Sequence, residues 1–256
     1  ISSWYWRLCE PHLEATTPEM QEMVDTLLEG LTDRQAKIQA IFRWVSQQVR
    51  YMGITIEDSS PGWEPHDVSL TFENRHGVCR DKAALLVAML RLADIEAYPV
   101  LIDAGPKKDA EIPIVRFNHA ITAVRDDDGT YQLMDCTDET TRDLLPTYLC
   151  NCSYLVAHPD GETLQTAPIV PAEENMVLVE TSGEIDASGN VTGRTEIEFA
   201  GINDNAYRGY FARVKPEQRQ QLFEAILKAS VGTATLTQFE LRPADIQDMS
   251  ETLSVR

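Results

Sequence analysis

The chain has 256 residues, 43% of them hydrophobic and 25% charged, which is room for one large domain or two ordinary ones and lies in the usual range of soluble globular proteins. A formal net charge of −19 sets nucleic acid aside as a partner, because affinity for phosphate backbones comes from Lys and Arg. No apolar run reaches the length of a membrane-spanning helix, so no span is expected.

The chain begins at Ile1, not at a methionine, and Ser2-Ser3-Trp4-Tyr5-Trp6 carries neither the basic nor the apolar region of a leader. Any targeting segment is expected to have been removed or never to have existed. Thr17-Pro18-Glu19 supplies an N-cap, a proline at the first helical position and an acid in the first turn. Met20, Met23, Val24, Leu27, Leu28 and Leu31 follow at helical spacing and predict an amphipathic helix. Thr32 with Gln35 predicts a second start, and Ile38, Ile41, Phe42, Val45 and Val49 carry the 3.6-residue period to about Tyr51. Residues 57–73 are rich in turn formers and read as a linking stretch of the kind that lines sites. The run from Cys79 to Leu92 is helical again and apolar around most of its circumference, which predicts a central helix. Residues 98–103, 118–124, 130–136 and 153–157 are short β-forming runs bounded by Gly, Pro and Asp. Helices first and strands second predict an α+β domain over residues 1–170.

After Pro171 the texture changes. An alternating run over residues 191–199 and a turn at Ser188-Gly189-Asn190 predict a β-hairpin. A helical stretch over residues 216–228 and a strand over 233–241 follow, and the chain stops at Arg256 in what reads as a further strand. Residues 171–256 are therefore expected to form a smaller β-rich C-terminal domain, truncated at its end.

Cys9, Cys79, Cys136, Cys150 and Cys152 are an odd number at irregular spacing, which is no disulfide framework and leaves at least one thiol unbridged. Cys79 has a distinctive position. It opens the apolar helix, where the helix dipole stabilises a thiolate, and Gly77 just before it permits a tight approach. Taken alone, such a cysteine is more often a packing residue. His119 starts one strand and Asp135 ends the next, and an odd-length loop centred on Asp127 would set them directly opposite each other. Across such a pair the carboxylate fixes the imidazole tautomer and stabilises the imidazolium that forms when Cys79 ionises. The ordered set of Cys79, His119 and Asp135 predicts a thiol nucleophile, its base and the group that orients the base.

Gly77-Val78-Cys79-Arg80-Asp81-Lys82-Ala83 with Leu85-Leu86, then Asn118-His119-Ala120 and Asp135-Cys136-Thr137, resemble the motifs of bacterial transglutaminase-like proteins, which have a papain-like core. The usual pattern has Asp where Val78 stands and Pro where Cys136 stands. The resemblance runs from Ala36 to Thr137 and more loosely through residues 201–227. It implies a helix bearing the cysteine, packed on an antiparallel sheet bearing the histidine and aspartate, with a β-rich domain behind. Family members often carry a further β-domain ahead of the catalytic one, and its absence agrees with a trimmed start. The resemblance also leans towards an extracytoplasmic bacterial protein, periplasmic or secreted.

On this reading the Cys79 thiolate attacks an amide or ester carbonyl of a peptide or protein substrate, and an amine or water resolves the acyl-enzyme. No cofactor is expected. The backbone N–H of Cys79 is the expected oxyanion donor, with the Trp63 indole as a candidate second one, and His76 is a further cleft candidate. Cys150-Asn151-Cys152 with His158 and Cys136 lacks the paired spacing of a zinc site, so no metal is expected. Val78 and Cys136 keep a rival open, a binding module that retains the fold and has lost the chemistry.

Overall fold

The computed structural model describes residues 1–53, 62–105 and 116–256; residues 57–61 of the expected linking stretch lie outside them. The chain divides into two compact units, residues 1–139 with 144–169, and residues 140–143 with 170–256.

The first unit opens with a helix that the sequence reading did not anticipate, α1 (Ser2–Leu13), burying Ser2, Tyr5, Trp6, Cys9 and Leu13. Those positions recur every three or four residues, so the aromatic start is one face of an amphipathic helix. The second helix, α2 (Pro18–Leu28), begins as expected, with the Thr17 hydroxyl accepting the Met20 N–H. A third, α3 (Arg34–Gln48), begins one residue later than the sequence suggested, because the Asp33 carboxylate accepts the Ala36 N–H at 2.8 Å. An ionised cap makes a stronger bond than a threonine hydroxyl, and Leu31 N–H is still tied to Leu28 O at 2.9 Å.

A short strand, β1 (Arg50–Tyr51), follows, then α4 (Val68–Asn74), β2 (His76–Gly77) and α5 (Cys79–Leu92). The chain leaves α4 through Arg75, whose left-handed φ of 55° turns it. The Arg75 guanidinium is held over the Trp44 and Phe72 rings at 4.4 and 4.3 Å. Leu85, Leu86, Val87, Met89 and Leu90 of α5 are fully buried, each contributing about 1.5–3 kcal/mol relative to exposure. The helix packs on a five-stranded antiparallel sheet formed by β3 (Ala97–Ile102), β4 (His119–Arg125), β5 (Tyr131–Met134), β6 (Ser153–Val156) and β7 (Gln165–Thr166), in the order β5-β4-β3-β6-β7. Thr122 on β4 donates its hydroxyl to Ala83 O at 3.0 Å, which pins the sheet to the second turn of α5.

The β4–β5 hairpin differs from expectation in register. Thr122 pairs with Met134 and Arg125 with Tyr131, so the loop is centred on Asp128 rather than Asp127. Asp128 Oδ1 accepts from both the N–H and the hydroxyl of Thr130, and Gly129 supplies the φ of 85° that the turn requires. This register sets Asp135 two positions away from the place opposite His119, not across from it. A shift of two keeps both side chains on one face, since alternation has a period of two.

The second unit carries β8 (Val177–Ile185) and β9 (Val191–Phe199), joined by the expected turn, with Gly189 at a φ of 84°. Two helices follow, α6 (Ile202–Arg213) and α7 (Pro216–Ser230), of which only α7 was expected. The expected strand over residues 233–241 is reduced to β10 (Leu241–Arg242), which pairs with β11 (Ser254–Val255), and Glu240 beside it exchanges two backbone hydrogen bonds with Arg256 at 2.8 Å. The sheet runs β10-β11-β9-β8. Arg208 is fully buried and its charge is answered by Asp204 at 2.6 Å and by the carbonyls of Ile246, Asp248 and Glu251.

Candidate active site

The first turn of α5 is fixed from three sides. β1 and β2 pair in parallel, Arg50 with His76 and Tyr51 with Gly77, and Met52 N–H reaches Gly77 O at 2.9 Å, which holds the chain just ahead of Cys79. Gly77 is needed for space, since a Cβ there would stand 2.8 Å from Asp81 Cβ and 3.3 Å from Thr71 Cγ2. Buried Asp81 folds back over the helix start. Its Oδ2 accepts the Val78 N–H at 3.1 Å, and its Oδ1 accepts the His66 N–H at 3.0 Å and lies 3.1 Å from His66 Nδ1. Below, fully buried Lys82 donates to Ser46 O at 3.1 Å and to Val49 O. The C-terminal carbonyls of α3 are thereby satisfied by an ammonium, and the start of α5 is locked to the residues that lead into β1. Burial holds the Lys82 amine below the usual lysine range, opposed by the charges of Cys136, Glu139 and Asp135.

His119 reaches the site from the first position of β4, and Asp135 follows the last residue of β5. Asp135 has left the ladder, with its N–H bonded to Leu144 O at 2.7 Å. His119 Nε2 lies 2.8 Å from Asp135 Oδ2, so the buried carboxylate occupies one ring nitrogen and leaves Nδ1 for the sulfur. Asp135 is satisfied on both oxygens. Oδ1 accepts the N–H and hydroxyl of Thr137 at 2.9 and 2.8 Å, and Oδ2 also accepts the Tyr148 hydroxyl at 2.8 Å.

Burial would push the Cys79 thiol up, but the hydrogen bond and charge of His119, with the backbone N–H groups of Ala120 and Arg80, bring it below the usual thiol value. For His119, burial favours the neutral ring, yet Asp135 and Cys79 outweigh it and raise the imidazole to about 10. Burial likewise opposes ionisation of Asp135, and His119 and Thr137 overcome it. The three shifts run together, each favouring the charged form of its group.

The two cleft candidates have different surroundings. Trp63 packs edge-on against Tyr5, Trp4 and Phe117, at centroid distances of 6.3, 6.5 and 6.5 Å. Burial, Cys9 and then Cys79 raise the Tyr5 phenol, so this aromatic wall borders the cysteine through Tyr5. His76 is exposed, with Nδ1 2.9 Å from Asn74 O; His66 is the histidine that touches the first turn of α5. Thr137 and Tyr148, which hold Asp135, have no signal in the sequence that marks this role, although Thr137 lies in the Asp135-Cys136-Thr137 motif. No two of the five cysteines form a disulfide. Among the described residues, no three His, Cys, Asp or Glu side chains are grouped to hold a metal.

A thiol at the start of a buried helix, an imidazole at the first position of an inner strand and a buried carboxylate behind it make a cysteine-peptidase-like layout. Residues 21–136, which lie within the first unit, match the family model of the transglutaminase-like superfamily, so the core of that unit is transglutaminase-like. Two solved structures are similar. One is a candidate protease from Parabacteroides distasonis, with 15% identity, a TM-score of 0.48, and coverage of 73% of this chain and 37% of that one. The other is a candidate cysteine protease from Cytophaga hutchinsonii, with 19% identity, a TM-score of 0.37, and coverage of 72% and 51%. The chain thus spans between about a third and about half of the length of these two proteins. No curated protein matches the sequence.

Proposed function

We propose that the first unit is a cysteine-dependent acyl transferase or amide hydrolase acting on a peptide or protein substrate. The Cys79 thiolate adds to the substrate carbonyl and forms a C–S bond. The oxyanion that develops is met by the backbone N–H of Cys79, which as the first helical residue has no partner within the helix. Its collapse breaks the C–N bond while the imidazolium of His119 gives its proton to the departing amine. Neutral His119 then takes a proton from an incoming amine or water, which attacks the thioester and regenerates the thiolate. Asp135 keeps the Nε2 proton of His119 in place throughout, so that Nδ1 faces the reaction.

The observation that carries this reading is the 2.8 Å contact between His119 Nε2 and a fully buried Asp135, combined with the lowered Cys79 thiol at the start of α5. A solitary packing cysteine needs neither. Iodoacetamide labelling as a function of pH tests it: Cys79 is expected to label fastest of the five thiols at pH 6–7, and Cys79→Ala to abolish that fast phase. A Cys79 that labels only as the solution passes the ordinary thiol range of about 8.5 would show the fold without its chemistry.

A further inference from the structure

One oxygen of Asp135 serves two donors. Oδ2 receives His119 Nε2 at 2.8 Å and the Tyr148 hydroxyl at 2.8 Å, while Oδ1 is taken by the N–H and hydroxyl of Thr137. The carboxylate itself is inaccessible to water, whereas Tyr148 is 52% exposed. Tyr148 sits in a single 3-10 turn, Thr147–Leu149, that opens after Pro146. A half-exposed ring contributes little as packing, and its hydroxyl is bonded to the carboxylate that holds the histidine and to Thr137 beside it.

We propose that Tyr148 is a positioning residue: by donating to the oxygen that holds His119, it orients the Asp135 carboxylate and weakens its grip on the imidazolium proton. The proposal rests on the thiolate–imidazolium reading above. A hydrogen bond donated to a carboxylate stabilises its charge and withdraws electron density from the accepting oxygen. With Tyr148 in place, Oδ2 divides its charge between two protons, and His119 releases its own more readily to a leaving amine. Without the hydroxyl, the whole charge of Oδ2 faces Nε2 and the imidazolium becomes a weaker acid. Phenylalanine keeps the ring and removes only the hydroxyl.

The other groups that bear on this titration are fixed. Cys79 faces His119 from α5. Lys82 of α5, Tyr51 of β1 and Cys136 lie within electrostatic reach of Asp135, and Asp138 bears on Tyr148 itself. Each is present equally in wild type and Tyr148→Phe, so a difference between the two proteins reports the hydroxyl.

The test is an NMR titration of the His119 ring in wild type and Tyr148→Phe, with matching amide spectra as the check on folding. The His119 midpoint is expected to rise by roughly 0.5–1 pH unit in Tyr148→Phe, a fraction of a charge-assisted hydrogen bond. Tyr148→Trp, which restores a ring with an N–H donor of different reach, is expected to fall between the two. An elevated wild-type midpoint that is unmoved or lowered in Tyr148→Phe would overturn this proposal alone. A wild-type His119 that titrates like an ordinary imidazole would overturn the ion-pair reading and this proposal with it.

Discussion

Replacing Asp135 by Asn removes the charge from the site at almost no change in volume. Thr137 donates a backbone N–H and a hydroxyl to Oδ1, and a backbone N–H cannot become an acceptor. The amide oxygen must therefore stay on the Thr137 side, which turns the NH₂ towards His119 Nε2. Two donors cannot face each other, so the imidazole adopts the tautomer protonated on Nδ1, and the nitrogen next to Cys79 ceases to be a base. A hydrogen bond to a charged group is worth about 1.5–3 kcal/mol, or roughly one to two pK units. The His119 midpoint is thus expected to fall from about 10 by at least that amount, and the Cys79 thiol to rise, because forming the imidazolium that stabilises its thiolate costs correspondingly more. Iodoacetamide labelling of Cys79 at pH 7 should slow by roughly ten- to a hundredfold, with far-ultraviolet circular dichroism unchanged. Asp135→Asn that labels within about twofold of wild type would refute the linkage from carboxylate to imidazole to sulfur.

Acylation by a nitrophenyl ester, whose leaving group needs no proton, should rise with pH through the lowered Cys79 midpoint and then hold level. Acylation by a peptide amide should rise over the same limb and fall as His119 loses its proton at about 10; matching profiles for the two donors would remove His119 as the acid. Gly77→Ala places a Cβ 2.8 Å from Asp81 Cβ, an overpacking expected to cost about 1–3 kcal/mol, measurable by urea unfolding. Cys79 labelling should slow with it, because Asp81 shapes the turn that carries the sulfur. Asp204→Ala leaves the fully buried Arg208 charge unanswered by a carboxylate, with an expected loss of about 3–5 kcal/mol from the second unit. Labelling of Cys79 is expected to persist in that variant, and its disappearance would show that the site depends on the second unit.

Much of the site is legible in the order of residues. A cysteine that opens an apolar helix declares itself by position, and the His119 and Asp135 strands declare their hairpin by alternation and an acidic turn. The hairpin register could not be read as well, because Asp127 and Asp128 are equivalent on paper and only the Asp128 contacts to Thr130 decide between them. The difference spares the site only because it moves the pairing by an even number. His76 is near Cys79 along the chain, but Gly77 is its inward-facing neighbour, and strand alternation sends His76 outward. His66 and Tyr148 come from loops far from the motif, where no periodicity marks a side chain that will fold over a helix start or a carboxylate. The first helix is hard to see in the sequence because a cluster of aromatic residues at a chain start draws the eye before the three- and four-residue spacing of Ser2, Tyr5, Trp6, Cys9 and Leu13.

The central claim is that Cys79 forms and turns over an acyl thioester. Its most direct test is acid quenching of the protein during reaction with p-nitrophenyl acetate, followed by peptide mapping. The account predicts an acetyl group on Cys79 that hydroxylamine removes, that is absent from Cys79→Ala and that accumulates when His119 is replaced by Ala at a pH high enough to ionise the thiol. Acetylation scattered over Cys150 and surface lysines, with Cys79 unmodified, would contradict it.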